Sequence, residues 1–147
     1  MEYLKVKDLG KDGKILAPAK VGDVGYDVIA TEDCYIGLND RHNMPLGIAI
    51  EIPLGYVAII QAKSGRAKKE GITTIGNIID SGYRGEIHAN IVNTGLTPIE
   101  ISKGEKVAQI LFHKCYTPEI QIVSELSESE RGDKGFGSTG LYCEDKQ

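Results

Sequence analysis

The stretch IIDSGYRGEIHANI, residues 78–91, decides the fold. Two branched apolar residues, Ile78 and Ile79, lead to Asp80, and the polar SGYRG that follows turns the chain. From Glu86 the residues alternate, with Ile87, Ala89 and Ile91 on one face and Glu86, His88 and Asn90 on the other. Successive side chains of a strand point to opposite faces, so this alternation predicts a strand with one dry and one wet side, and the whole segment a β-hairpin. The pattern recurs in LKVKD near Leu4, YDVIA from Tyr26, CYIGL from Cys34, LGIAIEI from Leu46, YVAIIQA from Tyr56, TPIEI from Thr97 and KVAQILFHK from Lys106. Turn-forming residues at Pro53 to Gly55, Thr94 with Gly95, and Lys103 with Gly104 separate these runs. The single helical segment is SGRAKKEG from Ser64, where Ser64 is the expected N-cap and Gly71 the expected end. It is too short for an α/β fold. The chain therefore predicts an all-β domain, a jelly-roll-like β-barrel or sandwich with one short helix.

Composition narrows the function. The chain has 147 residues, enough for one domain with its own core. Its three cysteines, Cys34, Cys115 and Cys143, are far apart and lack metal-ligand spacing, so they read as free thiols in a reducing compartment. The N-terminus MEYLKVKDLG lacks the apolar core of a signal peptide, and no apolar run approaches membrane-spanning length. These features predict a soluble, cytoplasmic protein. A net charge of −4 argues against broad nucleic-acid binding, which rests on clustered cations. The segment SELSESERGDKGFGSTG from Ser124 is polar and glycine-rich, so residues 1–123 are expected to form the β domain and residues 124–147 a mobile tail.

Five short segments carry residue types suited to chemistry. Asp80 at the lip of a turn can orient and deprotonate a water, with Tyr83 nearby to pack against a sugar; an ordinary Asx turn explains the same Asp equally well. RGDKGFGSTG from Arg131 combines a guanidinium, glycines, two hydroxyls and the ring of Phe136, the parts of a phosphate and base site. Its GFGSTG matches a dinucleotide fingerprint in letters only, because no helix follows. KSGRA from Lys63 places Ser64 and Gly65 at a helix start, where backbone N–H groups face outward. GEKVAQILF from Gly104 carries Gln109 as the one polar residue in an apolar run. PAKVGDVGYDVIA from Pro18 sets Asp23 and Asp27 in a loop-to-strand transition.

The order and wording of these segments resemble the five motifs of the trimeric dUTPase family: GDVGYDVIA, KSGRA, GNIIDSGYRGEI, GEKVAQILF and RGDKGFGSTG, together spanning most of the chain. The resemblance implies a homotrimer with shared active sites that hydrolyses dUTP to dUMP and pyrophosphate, limiting uracil in DNA and supplying dUMP for thymidylate synthesis. It implies that Asp80 holds the attacking water and that Tyr83 packs under the deoxyribose and excludes a 2′-hydroxyl. Backbone groups near Asn77 and Ile78 would read the uracil edge. Lys63, Ser64, Gly65 and Gln109 would hold the phosphates, and Mg²⁺ would ride on the triphosphate through waters positioned by Asp27. The tail of another subunit would stack Phe136 on the uracil and bring Arg131, Gly137, Ser138 and Thr139 to the phosphates.

Two positions depart from the pattern. Lys63 replaces the usual Arg and lacks its bidentate fork; Arg66 offers either compensation at the phosphates or an exposed helix-face charge. Asn77 replaces a Gly, with positive φ expected to be tolerated there. Two other functions fit parts of the sequence: a dCTP deaminase using Glu86 at the base, and a non-enzymatic trimeric scaffold. His42, His88 and His113 lack metal spacing and receive no catalytic part.

Overall fold

The computed structural model describes residues 3–133. Twelve strands and one helix follow in the order β1 Lys5–Asp8, β2 Ile15–Leu16, β3 Tyr26–Ile29, β4 Cys34–Ile36, β5 Arg41–Pro45, β6 Ile48–Glu51, β7 Tyr56–Ala62, α1 Ser64–Glu70, β8 Ile72–Ile75, β9 Ile78–Ile79, β10 His88–Asn93, β11 Ile99–Ile101 and β12 Lys106–Lys114. They pair into sheets ordered β2-β3-β12-β7-β9, β5-β10-β8, β1-β6 and β11-β4, a jelly-roll-like β-sandwich. The alternation read in the sequence is what fills its core: Ala58 and Ile60 of β7, Ala89 and Ile91 of β10, and Ile99 and Ile101 of β11 are buried, with outward-facing residues between them.

One break in alternation positions the site. Val107 and Ala108 are adjacent yet both fully buried, because a bulge shifts the register of β12 against β3 between Lys106 and Ala108. After the bulge, Gln109 faces away from the core, directly opposite Asp27 on β3 and Gln61 on β7. The extra residue thus lines three polar side chains across three neighbouring strands.

The chain separates into two compact units, residues 1–117 and 118–147. The described part of the second unit has no strand or helix, and its apolar Ile120, Ile122 and Leu126 are about nine-tenths exposed.

Three local expectations need correction. Ile78–Ile79 and the strand after Asp80 do not form a hairpin: β9 pairs with β7, whereas β10 pairs with β5 and β8. The 80–87 segment is a corner joining two sheets. Ser64 is not the N-cap but the first helical residue; the cap is Lys63 in extended conformation, with no side-chain bond to the helix, while Gly71 ends α1 in the left-handed region as expected. The positive φ near Asn77 belongs to Gly76, at +63°, so Asn77 carries no such strain.

Candidate active site

The corner at Asp80 is closed by the backbone: Tyr83 N–H donates to the Asp80 carbonyl at 3.0 Å. Arg84 Nη1 donates to the Ser81 and Tyr83 carbonyls at 2.6 and 2.8 Å, and the Tyr83 hydroxyl donates to the Glu86 carbonyl at 2.9 Å. In an Asx turn the Asp80 carboxylate would itself accept a backbone N–H. Among the described residues it accepts none, so the turn does not need the carboxylate and leaves it open to bind. Asp80 lines a recess of about 190 Å³ with Ile78, Tyr83, Ile87, His88 and Gly76. Ile78 is 63 % exposed, an apolar wall beside the carboxylate. Asn77 sits at the back of this segment: its carbonyl accepts Ile60 N–H at 3.0 Å and its Nδ2 donates to the Thr74 carbonyl at 3.2 Å.

A second recess, about 390 Å³, lies at the outward face created by the β12 bulge and is lined by Asp23, Gly25, Asp27, Lys63 and Gln109 among others. Gln109 Nε2 donates to the Ala62 carbonyl at 3.2 Å, which uses one of its two amide hydrogens and leaves the other for a ligand. Lys63 Nζ donates to Asp27 Oδ1, and Lys106 Nζ lies 2.9 Å from Asp27 Oδ2. Burial pushes the Asp27 carboxyl up, but the hydrogen bonds from Lys63 and Lys106 outweigh it and hold the group below the usual carboxylate range. Ser64 and Gly65 open α1 beside this recess and are exposed, with the first helical N–H groups unpaired within the helix.

Several sequence expectations resolve against these contacts. Arg66 is neither free for phosphate nor an exposed surface charge. Its side chain is 14 % exposed, bound bidentately by Glu70 and by Glu105 at 3.2 Å. Glu86 is unsuited to a deaminase's role at the base: one carboxylate oxygen takes Lys11 Nζ at 2.6 Å and the other Gly47 N–H at 3.1 Å. His88, given no part from the sequence, lines the Asp80 recess; its place next to the alternating apolar residues of β10 was the available signal. Arg131 is exposed and belongs to the second unit. Phe136, Gly137, Ser138 and Thr139 lie outside the described residues.

The two recesses share no lining residue. Ile79 pairs with Ala58 near one end of β7, and Lys63 follows Ala62 at the other. Ala58 and Lys63 are five residue steps apart, which at about 3.3 Å per step is roughly 17 Å. A recess with an open carboxylate and a second one that brings a lysine, a side-chain amide and a helix start together on one β-sandwich suit a nucleotide-binding class of protein. A family profile described as dUTPase matches residues 11–140. The chain is 41 % identical over 142 residues to the deoxyuridine 5′-triphosphate nucleotidohydrolase of Clostridium tetani, covering 95 % of this chain and 98 % of the relative. It is 37 % identical over 141 residues to that of Paramecium bursaria Chlorella virus 1, covering 96 % and 100 %. The Staphylococcus bacteriophage 80alpha dUTPase with dUPNHPP superposes with a TM-score of 0.89 at 30 % identity, covering 96 % of this chain and all of that one. The chain belongs to the dUTPase family.

Proposed function

We propose that the protein hydrolyses dUTP to dUMP and pyrophosphate, with each active site assembled from more than one copy of the chain. Family membership carries the activity. The shared site is carried by the separation along β7: Asp80 and the Lys63–Gln109 recess stand too far apart to grip one triphosphate, although both are fitted to it. A second copy that brings its Lys63 recess to the first copy's Asp80 removes the conflict, and closed threefold symmetry repeats the arrangement at three sites.

In this reading Asp80 orients a water and accepts its proton, a role worth about 10²–10⁴-fold in rate. The water oxygen bonds to the α-phosphorus, the bond to the bridging oxygen breaks, and pyrophosphate leaves with the electron pair. Tyr83 and Ile78 pack against the deoxyribose, and the backbone at Asn77 and Ile78 reads the uracil edge. Lys63, Ser64, Gly65 and Gln109 hold the phosphates with cationic and N–H donors aimed at developing charge. The tail from residue 124 onward, with Arg131, Phe136, Gly137, Ser138 and Thr139, closes over a site of the trimer.

Mg²⁺ fits as an ion carried in by the substrate, since it keeps several waters and needs only one or two carboxylates beside the phosphates. Asp27 is the carboxylate that would hold its waters, and the ion would supply charge neutralisation of the triphosphate. No helix among the described residues is long and apolar enough to cross a membrane.

Complementation tests the reading. Asp80→Asn chains and chains carrying Ser64→Ala with Gln109→Ala are each expected to be nearly inactive at dUTP well below KM, while the co-assembled mixture recovers activity at about a quarter of its sites, as random threefold assembly dictates. No recovery in verified mixed trimers counts against shared sites. Pyrophosphate release from dUTP, dTTP, dCTP and UTP tests the substrate itself; equal rates on dCTP and dUTP would overturn it.

A further inference from the structure

The Asp80 recess holds one polar side chain that the reaction above does not use, His88. Its Nδ1 lies 3.1 Å from the carbonyl oxygen of Glu86, the same oxygen that the Tyr83 hydroxyl reaches at 2.9 Å. A carbonyl oxygen only accepts, so Nδ1 must carry a proton; in the neutral ring that fixes the tautomer, with Nε2 bare. The acceptor has two lone pairs, and the two side chains fill them. The peptide that bears it is anchored from its other side, because Ile87 N–H donates to the Ile48 carbonyl at 2.9 Å. What remains free to vary is where Tyr83 docks on that carbonyl. The phenol is 47 % exposed and lies against Gly85, where a Cβ would stand 2.4 Å from the Tyr83 oxygen. With one lone pair taken by His88, the hydroxyl has a single place to go.

We propose that His88 is a positioning residue for Tyr83, holding the phenol at the sugar side of the recess and so sharpening selection of deoxyribose over ribose. The inference rests on the reading of Tyr83 as the residue that packs against the sugar. Three measurements test it. Nitrogen chemical shifts of the His88 ring in the free protein at neutral pH are expected to show the Nδ1–H tautomer; a predominantly Nε2–H ring overturns the proposal without reference to any substrate. His88→Asn places an amide nitrogen as many bonds from Cβ as Nδ1 and retains the donor, whereas His88→Leu removes it. The Leu variant is expected to lower the ratio of kcat/KM for dUTP over UTP roughly three- to tenfold, chiefly by lowering the KM for UTP, and the Asn variant to keep it. A wild-type ratio in the Leu variant, or equal loss in both, overturns the proposal. In a Tyr83→Phe background, His88→Leu is expected to change the ratio no further, and full additivity would likewise overturn it. If the wild type itself fails to discriminate dUTP from UTP, the assignment of Tyr83 to the sugar fails, while the tautomer still reports on the contact.

Discussion

Gln109 lies where a side chain at position 25 would have to go: a Cβ built on Gly25 would stand 2.0 Å from Gln109 Oε1. The glycine of the first motif is there to admit the amide of the fourth. Without it, Gln109 could not fold back to donate to Ala62 while keeping a second hydrogen for a ligand.

Gly25→Ala is therefore expected to swing Gln109 out of the recess and break its 3.2 Å bond to Ala62. The lost bond is partly exposed, so stability should fall by only about 1 kcal/mol. The KM for dUTP should rise about tenfold, equivalent to roughly 1.4 kcal/mol of binding. Steady-state kinetics beside thermal unfolding separate the two effects, and an unchanged KM would show that Gln109 does not touch substrate.

Asp80→Asn should be structurally silent, because the corner is closed by the Tyr83 N–H to Asp80 carbonyl bond and the carboxylate supports no contact among the described residues. Turnover should drop about 10²–10⁴-fold with dUTP binding retained. Calorimetric titration with a slowly hydrolysed dUTP analogue, set against kcat, checks both halves.

These two residues mark the boundary of what was legible in the sequence. The strands that bury alternate residues, β7, β10 and β11, were readable because period 2 reports one dry face. β5, with the sequence RHNMP, was not: only Met44 is buried, and the strand exists because β10 pairs with it. The corner at Asp80 looked like a hairpin because local sequence records a turn but not the strands that its two arms join. Motif wording picked out Asp80, Lys63 and Gln109. Their levels along β7, with Ile79 opposite Ala58, Gln109 opposite Gln61 and Lys63 beyond Ala62, depend on register between distant segments, which no local pattern encodes.

Asp27 should make stability depend on pH. Its folded carboxyl titrates below the ordinary value of 3.8, through Lys63 and Lys106 overcoming the effect of burial. A carboxyl depressed on folding contributes its full stabilisation above the unfolded pKa and loses it as pH falls through the lower folded value. The stability difference between wild type and Asp27→Asn should thus be largest near neutral pH and shrink below the ordinary carboxylate range. Urea titrations across pH 2–7 would check this; a difference independent of pH would mean that the two lysines do not stabilise the carboxylate.

The glycines at the two ends of α1 should respond oppositely to alanine. Gly71 caps the helix at φ +72°, its N–H donating to the Ala67 carbonyl at 3.1 Å and its own carbonyl accepting Thr94 N–H and hydroxyl at 3.0 and 2.7 Å. A Cβ there would stand 2.5 Å from the Gly95 Cα and 2.6 Å from the Gly95 nitrogen, backbone atoms that have no rotamer to change. Gly71→Ala combines left-handed strain with this overlap and should cost about 2–4 kcal/mol. Gly65, in the first turn, has no atom within 4 Å of its Cβ position and no positive φ. Gly65→Ala should therefore stabilise the fold by about 0.4–1 kcal/mol, by narrowing the unfolded ensemble, even as the added methyl crowds the N–H groups proposed to hold phosphate. Denaturant midpoints of the two variants measured side by side, with KM for dUTP on the Gly65 variant, test both claims. A Gly71→Ala chain as stable as wild type would mean that Thr94 and Gly95 yield, and that the junction between α1 and β10 is not the fixed point these contacts describe.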